Sequence, residues 1–225
     1  MGRRTGSGVL AGLLLALATP GHAQEAMEAE PAATSLAGDY DASEREMVAG
    51  IRLGKDGRFQ FGLTVGSLDQ MAQGRWKADG NRVHLTSDPR PVPPAIKAGR
   101  VEATPGQPFA IRVVGPSGQD VPGVDLRIEF DSGEPLDSYL PGSAWSLPED
   151  EKRTPRFVTF SISSHRIEFP RLRLDARPGT TAIFDLTPND FGVADMTDAV
   201  VTVEGDTLTL TYTLGTLRMR RRADD

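Results

Sequence analysis

The chain has 225 residues, 24 glycines, 17 prolines and no cysteine, with a net charge of -6. That length allows one large or two small domains, and the glycine and proline content favours turns over long helices. Without cysteine there are no disulfides, iron–sulfur clusters, thiolate zinc sites or cysteine nucleophiles, and the negative charge argues against nucleic acid.

Residues 1–23 read as a secretory signal peptide. Arg3 and Arg4 precede an apolar run at 9–18, Pro20 breaks it, and Gly21-His22-Ala23 offers small residues for cleavage after Ala23. The run is shorter than the ~20 apolar residues of a membrane span. Gln24 stands where a bacterial lipoprotein carries its cysteine. A periplasmic or secreted protein, soluble after cleavage, is therefore expected. Losing the two arginines takes the net charge from -6 to -8. Residues 24–36 are rich in Ala, Glu and Pro and read as a flexible leader.

From 37 to 88 the pattern is an antiparallel meander, the first part of a barrel. Met47, Ala49, Ile51 and Leu53 share one face, as do Phe59, Phe61 and Leu63. Ala72, Gly74 and Trp76 oppose Met71, Gln73 and Arg75, and Val83 and Leu85 follow. Lys55-Asp56-Gly57 and Asp79-Gly80-Asn81 supply turns. Pro89, Pro91, Pro93 and Pro94 remove ladder donors, so 89–98 reads as an extended linker. Residues 99–187 form a second β region. Phe109, Ile111 and Val113 alternate, then Val124, Leu126, Ile128 and Phe130. A long loop is expected at 131–155 and strands at 157–162, 166–169, 171–174 and 181–186. Residues 188–225 end in a three-strand meander through Val201, Val203, Leu208, Leu210, Leu217 and Met219, with threonine on the wet face.

The stretches Gly38-Asp39-Tyr40, Asp56-Gly57-Arg58-Phe59, Gly74-Arg75-Trp76 and Gly80-Asn81-Arg82-Val83-His84-Leu85 resemble the first half of small lipocalin-like barrels of bacterial envelope proteins. These include the N-terminal barrel of copper-response envelope lipoproteins, whose paired-cysteine motif is absent here. Residues 201–218 resemble the closing strands of such a barrel. The middle, with Ile111-Arg112-Val113 and Gly118-Gln119-Asp120-Val121-Pro122-Gly123-Val124, is similar to immunoglobulin- or transthyretin-like bacterial modules. The resemblance implies an all-β protein: a small antiparallel lipocalin-like barrel plus a β-sandwich. Either the sandwich is inserted between the fourth and fifth strands of a split barrel, or two β-domains follow one another. Open edges on strands 47–86 favour the split barrel.

Motifs assign little chemistry. Of the two histidines after residue 23, His84 faces away from Val83 and Leu85, and His165 follows Ser163 and Ser164. His165 is the one candidate base for a Ser–His–acid hydrolase, but no Gly-x-Ser-x-Gly elbow accompanies it. The acids Asp39, Asp41, Glu44 and Glu46, and Asp131, Glu134 and Asp137, lack calcium-loop spacing. Arg218, Arg220, Arg221 and Arg222 read as a charge guard on a strand edge. No catalytic residue, metal or cofactor is expected. The leading expectation is an exported, non-catalytic binding or accessory protein acting through protein contacts with an envelope partner, Trp145 and Tyr139 being the contact residues. The first alternative is a carrier of a small apolar ligand within the barrel, lined by Phe59, Phe61, Trp76, Leu208 and Leu210. The second is a hydrolase of unknown substrate.

Overall fold

A computed structural model describes residues 35–213 and 215–223. The signal segment, residues 24–34 of the leader and Leu214 lie outside the described residues.

Alternation and tight turns build the first five strands: β1 (Gly38–Glu44), β2 (Met47–Leu53), β3 (Arg58–Val65), β4 (Leu68–Asp79) and β5 (Arg82–Ser87). Each pairs antiparallel with the next. Inward positions carry Tyr40, Ile51, Leu53, Phe59, Phe61, Trp76, Val83 and Leu85, all buried. Gly80 has φ +60, a left-handed value that suits glycine, in the two-residue loop between β4 and β5. The Trp76 indole N–H donates to the Gly54 carbonyl at 2.9 Å, which ties β4 to the turn between β2 and β3. β1 was not among the expected strands. Tyr40 and Ala42 are its main apolar side chains, between Asp39, Asp41 and Ser43, so its hydrophobic signal is weak.

The chain then leaves for a sandwich of β6 (Ala95–Ala103), β7 (Ala110–Val114), β8 (Val124–Phe130), β9 (Leu136–Leu140), β10 (Trp145–Ser146), β11 (Pro155–Ile162), β12 (Ile167–Glu168), β13 (Leu172–Arg173) and β14 (Thr180–Thr187). One sheet has the order β10-β7-β14-β6, with β7 and β14 parallel. The other has the order β12-β11-β8-β9, and β13 also pairs with β11. Both sheets contribute to one apolar core. Phe160 of β11 meets Phe184 of β14 edge-to-face, with centroids 4.9 Å apart. Such a pair adds about 0.5–1.5 kcal/mol beyond area burial.

Two stretches differ from the expectation. β6 begins inside the expected linker. It is an edge strand with Ile96 as its one fully buried side chain, and its pairing slips near Gly99. A Cβ at Gly99 would lie 3.0 Å from the Ile183 carbonyl, a tight backbone approach that favours glycine. The expected loop at 131–155 contains β9 and β10. Arg153 orders it: its guanidinium donates to the Ser132 and Glu134 carbonyls, covers the Phe130 ring at 4.1 Å and pairs with Glu151 at 2.6 Å. The Arg153 hydrogen bond is the main reason the Glu151 carboxyl is held at about 2.

Returning, the chain forms β15 (Val200–Glu204), β16 (Thr207–Tyr212) and β17 (Gly215–Arg221). β15 pairs with β5, and β17 pairs with both β16 and β1. The described residues thus form a closed eight-stranded antiparallel barrel. It is split, and the sandwich follows its fifth strand, because β1 adds one to the expected four. β17 is consequently not an edge. Arg221 donates to the Ala37 carbonyl at 2.9 Å, to the Ser35 carbonyl at 2.7 Å and to the Tyr40 hydroxyl. Tyr40 in turn donates to the Leu36 carbonyl at 2.9 Å. Arg222 pairs with Asp41 at 2.7 Å. These arginines fasten the closing seam.

Candidate functional site

Two connectors cross between barrel and sandwich, and they are fastened to each other. The outgoing one is the proline-rich run after β5; the returning one lies between β14 and β15. The Asp190 carboxylate accepts from the Val92 amide at 2.7 Å, and the Asp190 amide donates to the Val92 carbonyl at 3.1 Å. The Asn189 side chain donates to the Pro93 carbonyl at 2.8 Å. Arg90 pairs with Asp195 at 2.8 Å. Burial pushes the Asp195 carboxyl up, but hydrogen bonds from Thr197 and Arg90 outweigh it and hold the group at about 2.

The returning connector also completes the barrel wall. β5 stops at Ser87, opposite Gly74, while β4 extends back to Leu68. On the side of β4 that β5 leaves open, the Met71 amide donates to the Gly192 carbonyl at 2.9 Å, and the Ala194 amide donates to the Met71 carbonyl at 2.8 Å. Further on, the Met196 amide donates to the Ser87 hydroxyl at 2.8 Å. Ala194 and Met196 are buried in the barrel core. Asn189 (φ +44) and Asp198 (φ +67) are left-handed non-glycine residues, and they bracket this strap. Such conformations persist only where surrounding contacts impose them.

A third contact comes from the sandwich. A 3-10 turn, Ser163–His165, between β11 and β12 places the His165 ring 4.4 Å from the Phe191 ring. Three adjoining concavities surround the strap. The first, about 350 Å³, is bordered by Phe61, Met71, Ala72, Pro89, Pro91 and Val193. The second, about 580 Å³, lies among Arg90, His165, Arg166, Asp190 and Asp195. The third, about 720 Å³, opens over the outer wall at Val48, Gly50, Gly62, Met71 and Phe191. Gly50 and Gly62 are cross-strand partners and leave that wall bare. Around it Met71 is 64% exposed, Val48 59% and Phe191 38%.

The residues singled out from sequence are distributed as follows. Phe59, Phe61, Trp76, Leu208 and Leu210 come together in the barrel core, where they pack with its other buried side chains. Phe61 also meets Tyr212 edge-on at 5.7 Å and borders the first concavity. Trp145 packs against the sandwich core from β10. Tyr139 stands 60% exposed on β9, an edge strand of the other sheet. His84 is exposed on β5. His165 reaches the strap at Phe191, but its Nδ1 contacts the Ser164 hydroxyl at 2.9 Å, while Asp125 accepts from the Ser163 hydroxyl at 2.5 Å. These groups are therefore not joined as a Ser–His–acid relay. Asp39 pairs with Arg52 at 2.6 Å, and the hydrogen bond from Arg52 holds its carboxyl below its usual value. Asp137 pairs with Arg127 at 3.1 Å. Among the described residues no group of three or more histidines and acids is placed to hold a metal ion, and no helix is long and apolar enough to cross a membrane.

Met71, Asp190, Phe191 and Val193 were absent from the sequence-based candidates. Met71 was visible as an apolar side chain on the outward face of its strand, and Phe191 as an aromatic in a polar run. Their convergence depends on the strap, which has no periodic pattern. No family model, curated protein or solved structure matches the chain.

Proposed function

We propose that this is an exported, non-catalytic accessory protein that binds a protein partner of the cell envelope. The observation that supports this reading is the apolar surface of Val48, Met71 and Phe191 beside the bare Gly50–Gly62 wall. Exposed apolar residues gathered around a concavity mark interaction sites, and scattered ones do not. The partner this surface suits carries an aliphatic or aromatic anchor that buries against Met71 and Phe191. Tyr139 on its sheet edge is a second contact. The test is site-specific photocrosslinking in cells at positions 48, 139 and 191, with position 84 as control. A discrete adduct at 48 or 191 that disappears in Met71→Asp supports the reading. Equal labelling at position 84, or no adduct at any position, rejects it.

A second reading, carriage of a small apolar ligand in the lipocalin-like barrel, is favoured by one observation. Phe61 and Ala72, buried residues of the barrel core, also border the first concavity.

A further inference from the structure

We infer that the concavity between β4, the proline-rich connector and the strap is a binding slot for a small neutral ligand with an apolar body and a hydrogen-bonding head, and that residues 190–197 are its movable wall. This rests on the small-ligand reading above, but it places the ligand in the barrel wall rather than in the barrel's interior.

The slot's size and lining specify the ligand. About 350 Å³ lies at the lower end of the range for small-molecule sites. Its apolar sides are Phe61, Met71, Ala72, Val193 and the two proline rings. Its lining also carries polar groups. Gln60 and Gln73 are directly opposed across β3 and β4, and each carboxamide can donate and accept. Ser87, which also borders the slot, is buried, and its hydroxyl accepts from the Met196 amide. Among the described hydrogen bonds its own proton is left free to donate. Asp190 is the one charged group of this lining. Its carboxylate disfavours an anion, and the apolar sides disfavour a strongly hydrated cation. A neutral ligand remains.

The movable wall follows from the strap's construction. Val193 and Asp190 belong to it, and its two ends are the left-handed residues Asn189 and Asp198. Hinges are a few terminal residues that absorb a backbone change. Between them the strap is fixed to the barrel by the amides of Ala194 and Met196 and by the Gly192 carbonyl. A ligand gripped between β4 and Val193 adds contacts only when the strap is seated, so binding stabilises the seated state.

The probe is N-phenyl-1-naphthylamine, a neutral apolar amine, titrated by fluorescence into the purified full-length processed protein. Binding at about 10–100 µM is expected from its size. Its sulfonated analogue, 1-anilinonaphthalene-8-sulfonate, should bind about tenfold more weakly. Val193→Trp fills the slot from the strap, and Met71→Trp fills it from an exposed strand position that leaves folding intact. Each should weaken the probe by about tenfold or more. At saturation, hydrogen exchange at the Ala194 and Met196 amides should slow several-fold. No binding of the neutral probe overturns both this inference and the small-ligand reading. Binding unchanged in both tryptophan variants overturns the slot alone and leaves a ligand elsewhere in the barrel. Unchanged exchange at both amides overturns the movable wall.

Discussion

In the barrel every strand has two neighbours, whereas the sandwich leaves β6, β9, β10, β12 and β13 with one each. The barrel removes its edges by closure. The sandwich retains edges and blunts them: β10 and β12 are two residues long, and β6 is irregular and carries Lys97, Arg100 and Glu102. The difference lies in where each structure is vulnerable. The barrel depends on two joins between distant parts of the chain, β5 with β15 and β1 with β17, the second fastened by Arg221. The sandwich spreads its arginine contacts over its surface. Arg171, for example, pairs with Glu129 at 2.7 Å and covers Phe157 at 3.3 Å.

The comparison can be broken most directly in the two cores. Phe160→Ala and Phe59→Ala each remove a fully buried ring and should cost about 3–5 kcal/mol. Trp145 reports on the sandwich and Trp76 on the barrel, so urea unfolding of single-tryptophan proteins separates the two. Phe160→Ala should lower mainly the Trp145 midpoint and Phe59→Ala mainly the Trp76 midpoint. If both substitutions shift both midpoints equally, the connectors make the molecule one cooperative unit and the contrast fails. Next in size is the seam. Arg221→Ala removes three donated hydrogen bonds and should cost about 1–3 kcal/mol at the Trp76 midpoint. A smaller loss than in a surface arginine control would show that closure does not depend on it.

Acid sharpens the comparison at the connectors. Asp195 has a folded value of about 2 against an ordinary value of 3.8. Its carboxylate is favoured in the folded state, so its contribution is complete above about pH 4 and is lost as pH falls through about 2. Asp195→Asn should flatten the loss of stability across that window, measured by thermal unfolding at a series of pH values. The smallest effect is expected at Arg127–Asp137, where both partners are exposed. Asp137→Ala should change stability by less than about 0.5 kcal/mol.

Barrel strands were legible because a half-buried strand alternates, and β2 to β5 and β15 to β17 do so between tight turns. Where burial does not alternate strongly, sequence carries less. β1 has few apolar side chains, β6 is nearly all exposed, and β10, β12 and β13 are too short for a period. Alternation put the five aromatic and leucine positions of the barrel interior on inward faces, but their meeting in one core depends on the closure of two distant parts of the chain. The strap could not be placed by alternation, because its position is set by hydrogen bonds to Met71 and Ser87, residues more than a hundred positions earlier.

Tyr40 and Arg221 meet across the seam although they are 181 residues apart. During synthesis β1 to β5 emerge long before their last partners exist. Until β15 to β17 arrive, the barrel half is an open curl with one free edge on β1 and one on β5, and closing so long a loop is slow. That interval exposes the chain to aggregation. An unfolded chain held by a carrier and released whole avoids the interval, and the first strand then finds its neighbour only when the last one has been made.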